Sequence, residues 1–99
     1  MCNQACCSIR LAPVSKVLKT ISEDTRLKIL CMLKGGEQCV CEIQEALRLP
    51  HTLVLHHLNK LKSIGLIQLR KENKYTFYRL ELDAYGQFLR DLNLLLGVR

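Results

Sequence analysis

At Gly65 the hydrophobic periodicity of the chain changes from that of a helix to that of a strand. Upstream, apolar residues recur every three to four positions between clear stop signals. Downstream, "LIQLRKENKYTFYRLEL" alternates apolar and polar residues, is rich in aromatic and branched side chains, and carries a polar "KEN" near its middle. That pattern predicts a β-hairpin. A single switch of this kind in 99 residues restricts the chain to one small domain, mainly α with a β-hairpin.

The upstream part divides into four helices. Residues 9–21 place Leu11, Val14, Val17, Leu18 and Ile21 at helical spacing, with Pro13 near the start. Ser22 then reads as the N-cap of a second helix, "EDTRLKILCMLKGG", which Gly35 and Gly36 end. Its inward stripe is expected to be Leu27, Leu30, Cys31 and Leu33, which makes Cys31 a small core hydrophobe. A short third helix, residues 39–47, stops at "RLP". A fourth, residues 51–64, ends at Gly65 and turns Val54, Leu58 and Leu61 inward.

After the hairpin, residues 83–96 put Tyr85, Phe88, Leu89, Leu92, Leu95 and Leu96 at helical spacing. That face is large for so small a domain. It either closes the core or forms a dimer surface with the first helix. The chain has no internal repeat, linker or low-complexity tract, and residues 1–12 read as a cysteine-bearing arm before a domain at 13–99.

A short helix, a tight turn and a longer helix describe a helix-turn-helix, whose second helix enters the major groove. Its candidate DNA contacts are His51, Thr52, Leu55 and His56, with Asn59, Lys60 and Lys62 further along. The hairpin that follows makes the motif winged, and its Arg70, Lys71 and Lys74 are placed to reach phosphates or the adjacent minor groove. Charge agrees with topology. The net charge is +6, and between positions 50 and 80 Lys60, Lys62, Arg70, Lys71, Lys74 and Arg79 are opposed only by Glu72. A solvated basic face would have the same charge but not the same topology. His51, His56 and His57 read as zinc ligands less well than as two DNA-facing residues and one, His57, packed on the domain.

Other classes fit poorly. No apolar run approaches the roughly 18 residues of a membrane helix, and the first residues lack the pattern of an export signal, so a cytoplasmic location is expected. An enzyme is not expected, because there is no Cys-x-x-Cys, no glycine-rich phosphate loop and no convergent acid/base set. The basic hairpin would also have no purpose in an enzyme, and a purely structural adaptor would predict no specific DNA binding and tight packing of all six thiols.

Six cysteines are many for a chain expected in a reducing compartment, where clustered thiols serve metal binding or redox sensing. They group as Cys2, Cys6 and Cys7, then Cys39 and Cys41, with Cys31 alone. Positions i and i+2 of a regular helix point about 200° apart. Cys39 and Cys41 can therefore converge on one ion only at a helix start, with Cys39 in the non-helical cap. The helix N-terminus also favours the thiolate. The C-x-C spacing is expected to disfavour an unstrained internal disulfide, so a redox switch would need a bond from arm to helix.

Taken together, "ISEDTRLKILCML", "EQCVCEIQEALRL", "HHLNKLKSIGLI" and "RKENKYTFYRLEL" resemble the ArsR/SmtB winged-helix repressors over about residues 14–96. The family's Asp-Pro-Thr-Arg is here Glu23-Asp24-Thr25-Arg26. A small polar residue common in the family is here Leu55, which can meet a thymine methyl but cannot hydrogen-bond a base. The resemblance implies a homodimer that binds an inverted-repeat operator in double-stranded DNA and is released by an inducer.

It also implies the ligands. "CVC" matches the family's inducer-binding cysteines, so Cys39 and Cys41 would ligate a soft ion. The third thiol of the arsenical repressors falls at Gln44, so the arm cysteines Cys2, Cys6 and Cys7 would complete the set. Cys2 and Cys6 have the spacing seen in cadmium/lead sensors, and the vicinal Cys6-Cys7 pair is similar to that of some arsenical sensors. Three thiolates suit As(III) or Sb(III), and four suit Cd(II), Pb(II) or Zn(II). As(III)/Sb(III) is the favoured expectation, with a divalent sensor or a thiol redox switch as alternatives. The family's other metal site needs histidine near the C-terminus, and residues 83–99 have none.

Overall fold

The computed structural model describes residues 11–97. Five helices and three strands follow in the order α1 (Leu11–Ile21), α2 (Asp24–Lys34), β1 (Gln38–Cys39), α3 (Val40–Leu47), α4 (His51–Ser63), β2 (Ile67–Glu72), β3 (Tyr75–Leu80) and α5 (Leu82–Leu96). This is the winged helix-turn-helix architecture. The core lies where α1, α2, α3 and α4 meet the sheet. Ile29, Ile43, Val54, Leu58, Leu61, Leu66 and Ile67 are its most deeply buried members, and Tyr78 of β3 completes it. Val54, Leu58 and Leu61 face inward as their spacing predicts.

The turn between α3 and α4 is made by backbone conformation. Arg48 caps α3 in the left-handed region (φ 55°, ψ 45°), and its N–H bonds to the Gln44 carbonyl. Pro50 then starts α4 from an extended conformation, with the Leu53 and Val54 N–H groups both on its carbonyl. Gly65, at φ 81°, reverses the chain after α4 into β2, a conformation that a side chain would strain. The hairpin is tighter than the "KEN" reading suggested. Strand pairing runs through Glu72↔Tyr75, and Asn73, at φ 57°, makes the two-residue turn with Lys74.

Four expectations need correction. Glu23, not Ser22, caps α2, accepting from the Arg26 N–H at 3.1 Å, while the Ser22 hydroxyl donates back to the Lys19 carbonyl at the end of α1. Cys31 is exposed rather than in the core, and Leu27 is 48% exposed; the helix instead buries Ile29, Leu30 and Leu33. Apolar residues sit on both sides of this helix, so periodicity alone could not select the face that meets α1, α4 and β3.

The third correction is a strand. The two-residue β1 pairs antiparallel with β3, Gln38 opposite Tyr78 and Cys39 opposite Phe77, and makes a three-stranded sheet of order β1-β3-β2. The fourth is a bond. Cys39 and Cys41 form a disulfide with Cα atoms 5.4 Å apart. The extended Cys39 backbone (φ −86°, ψ 159°) brings its sulfur round to the first turn of α3, which a helical residue at that position could not do.

The last helix leaves a broad apolar face. Leu89, Leu94 and Leu96 of α5 and Leu11 and Leu18 of α1 are exposed. Between α1 and α5 runs a groove of about 490 Å³ lined by Leu11, Val14, Leu18, Leu92, Leu95 and Leu96.

Candidate nucleic-acid and thiol site

The cysteine pair sits at the junction of every element the DNA reading invokes. Cys39 is buried and belongs at once to β1, on the sheet edge, and to the cap of α3. Its backbone N–H donates to Glu42 Oε1 at 2.8 Å, half of a capping box that pins the first turn. Cys41, one turn position on, is exposed.

Both cysteines border a cleft of about 420 Å³ between α3, α4 and the wing. His51, Leu55 and Asn59 of α4 and Lys71 and Lys74 of the hairpin line the same cleft, together with Gln44. Five of the ten candidate DNA contacts are thus brought beside the cysteines. Gln44 Oε1 lies 3.3 Å from His51 Nδ1, joining α3 to the first residue of α4.

The other five are distributed differently. Thr52, His56, Lys60 and Lys62 are exposed along α4 and away from the cleft lining. Thr52, His56, Asn59 and Ser63 share one exposed stripe, and Ser63 was not anticipated although its spacing from Asn59 is helical. Leu55 is half-buried and packs on the core. Arg70 is exposed but engaged. It makes a two-pronged ion pair to Glu37, Nη2–Oε1 at 2.6 Å and Nε–Oε2 at 3.1 Å, a further hydrogen bond to Glu72, and stacks 4.7 Å from the Phe77 ring centre. The Arg70 guanidinium holds the Glu37 carboxyl below its usual range, and the two carboxylates hold Arg70 firmly protonated. Charge counting could not reveal this, since Glu37 is 33 positions away in sequence.

His57 packs on the domain as expected, buried on the inner side of α4. Its Nδ1 accepts from Arg26 Nε at 3.1 Å, and Arg26 also reaches the Thr20 carbonyl at 3.0 Å. Burial lowers the His57 pKa from its ordinary 6.5, with Glu23 opposing and Arg26 and His56 assisting. His51, His56 and His57 form no metal cluster, and among the described residues no three or more His, Cys, Asp or Glu side chains gather to hold an ion. Cys39 and Cys41 are thus the two thiol-bearing residues that the described part of the chain brings together. In dithiol form their convergence fits a thiophilic ion, which would need further donors. Cys2, Cys6 and Cys7 lie outside the described residues.

Comparison with known proteins agrees with the geometry. The family model described as bacterial regulatory protein, arsR family, matches residues 23–68, from the cap of α2 into β2. The chain is 41% identical over 77 residues to a cadmium resistance transcriptional regulatory protein CadC homolog of Staphylococcus aureus, covering 77% of this chain and 64% of that one. It thus spans just under two thirds of that relative's length. To an arsenical resistance operon repressor of Staphylococcus xylosus it is 32% identical over 83 residues, covering 81% of this chain and 80% of the relative. Among solved structures, the homodimeric winged helix-turn-helix DNA-binding domain of a possible ArsR-family transcriptional regulator from Mycobacterium bovis superposes with a TM-score of 0.73. There the identity is 32%, covering 91% of this chain and 85% of that one. Relatives and neighbours are regulators rather than enzymes. By sequence match and by fold, the chain belongs to the arsR family of bacterial regulatory proteins.

Proposed function

We propose that the protein is a cytoplasmic, metal(loid)-responsive repressor that binds operator DNA as a homodimer and lets go when its cysteine thiolates capture a thiophilic ion. The observation that carries this reading is the position of Cys39 and Cys41. They converge at the start of α3, on the wall of the cleft whose other walls are the recognition helix α4 and the wing. Relatives named as an arsenical resistance operon repressor and a cadmium resistance transcriptional regulatory protein support an ion of this class. The homodimeric Mycobacterium bovis domain and the open apolar face of α1 and α5 support the dimer.

The pair supplies two thiolates once reduced. Cys2, Cys6 or Cys7, ahead of α1, would supply the further donors, and three sulfurs in all favour As(III) or Sb(III) over Cd(II) or Pb(II). Closing the arm onto α3 shifts the first half of the helix-turn-helix. Through the Gln44–His51 contact and the β1–β3 pairing, that shift reaches both α4 and the wing. A coupling of about 1–3 kcal/mol would change operator affinity roughly 5- to 150-fold.

The test is DNA release titrated with arsenite, antimonite, cadmium and lead on fully reduced protein. Cys39→Ser and Cys41→Ser should each abolish release while leaving operator binding in place, and Cys31→Ser should change nothing. Release that survives Cys39→Ser would end this reading. A second reading, a thiol redox switch, is favoured by the Cys39–Cys41 disulfide itself. It predicts release by oxidant in the absence of any ion and none by arsenite under reducing conditions.

A further inference from the structure

The cleft beside the cysteine pair has a chemistry of its own. One residue of the disulfide is sheltered and the other is open: Cys39 is 6% exposed, whereas Cys41 lies at the surface. The cleft that both border carries two exposed lysines, Lys71 and Lys74, and the ring of His51. No carboxylate is among its lining residues. The nearby acids are turned to other work, Glu42 to the Cys39 N–H and Glu37 and Glu72 to Arg70.

We infer that Cys41 is a site of covalent exchange with small thiols that carry carboxylates, and that this cleft receives the rest of such a molecule. The attacking thiolate adds to Sγ of Cys41 and the Cys39–Cys41 bond breaks. Cys39 departs as thiolate and takes a proton from solvent, and a new disulfide joins Cys41 to the small molecule. One disulfide replaces another, so no external oxidant is consumed. Attack falls on the open sulfur, and the helix start steadies the departing anion. The carboxylates then sit by Lys71 and Lys74, the cations that would otherwise meet DNA phosphates, so the adduct weakens operator binding. A second thiol attacking the adduct returns the free pair. The inference uses the same cysteines as the proposed sensor but requires no ion.

Glutathione is the probe. The disulfide form of the full chain, incubated with reduced glutathione, quenched in acid and analysed by peptide mass, should carry glutathione on Cys41 and none on Cys39. Cys39→Ser removes the resolving thiol, so reaction of this variant with glutathione disulfide should trap the adduct. Exposed Cys31 on α2 serves as the internal reference in the same molecule. Cys41 should react roughly two- to fivefold faster than Cys31 at low salt. That advantage should vanish with Lys71→Gln plus Lys74→Gln, and with cystamine, a cationic disulfide. The trapped adduct should bind operator roughly tenfold more weakly than the unmodified variant. Equal preference for cystamine, adduct on Cys39, or unchanged operator affinity would overturn the inference. None of these results would alter arsenite-driven release on prereduced protein, so the two readings fail separately.

Discussion

Arg26 donates its Nε–H to Nδ1 of His57 across 3.1 Å, tying the first turn of α2 to the buried side of the recognition helix. The bond requires Nδ1 to be unprotonated, and burial already favours the neutral ring. Folding and the placement of α4 are therefore linked to pH.

Because the folded pKa of His57 is depressed, its contribution to stability is fully present above the ordinary value of 6.5. It is lost as pH falls below that value and through the depressed folded pKa, since the unfolded chain takes up the proton first. Thermal midpoints measured from pH 8 to pH 5 should fall on acidification, and the slope near pH 6 should flatten in His57→Gln. His57→Ala should cost about 1–3 kcal/mol at neutral pH, because it leaves a part-buried guanidinium N–H without its acceptor.

Arg70 is occupied by Glu37 and Glu72. Glu37→Gln should release it toward phosphate, raising affinity for duplex DNA roughly two- to fivefold at low salt. The slope of log affinity against log salt should steepen by up to about one. A salt titration of fluorescent operator binding reads both quantities. An unchanged slope would mean that Arg70 never reaches the backbone.

Gln44 lines the same cleft as Cys39 and Cys41. Gln44→Cys should complete a three-sulfur set within α3 and its cap. Arsenite should then release DNA from this variant even when Cys2, Cys6 and Cys7 are all replaced by serine, a background in which the parent chain should not respond. Fluorescence anisotropy on a labelled operator suffices.

Leu92 and Leu95 line the groove between α1 and α5. Leu95→Asp should place a charge in an apolar interface and shift the protein to monomer in sedimentation velocity. On the proposed dimeric binding mode, operator affinity should fall at least tenfold, because each protomer would then bind DNA alone. Leu58→Ala, in contrast, should lower stability by about 2–5 kcal/mol through a core cavity without changing the assembly of the fraction that remains folded.

Much of this protein was legible before any coordinates. The inward face of α4 could be read because Val54, Leu58 and Leu61 recur at helical spacing, although Leu53 and Leu55 flank that stripe. The hairpin was visible in alternation, and the extended cap at Cys39 followed from asking how two cysteines one residue apart could meet. The inner face of α2 was not legible, because apolar residues at Leu27, Ile29, Leu30, Cys31 and Leu33 leave several faces open and only the neighbours decide among them. Strand β1 was hidden by its length: two residues have no periodicity, and only the exposed edge of β3 turns them into a strand.

The sequence by itself determined the order of helices and hairpin and the residue types that can bind DNA or a soft ion, since these follow from local pattern and chemistry, and its motifs carried the resemblance to the family. Only the tertiary structure decided which of those residues share one cleft, that the exposed Arg70 is paired with Glu37, and that Cys31 lies outside the core while Cys39 lies within it. The reason is physical. Propensity and periodicity act over a few residues, whereas an ion pair or a buried face is set by groups that packing brings together from distant parts of the chain.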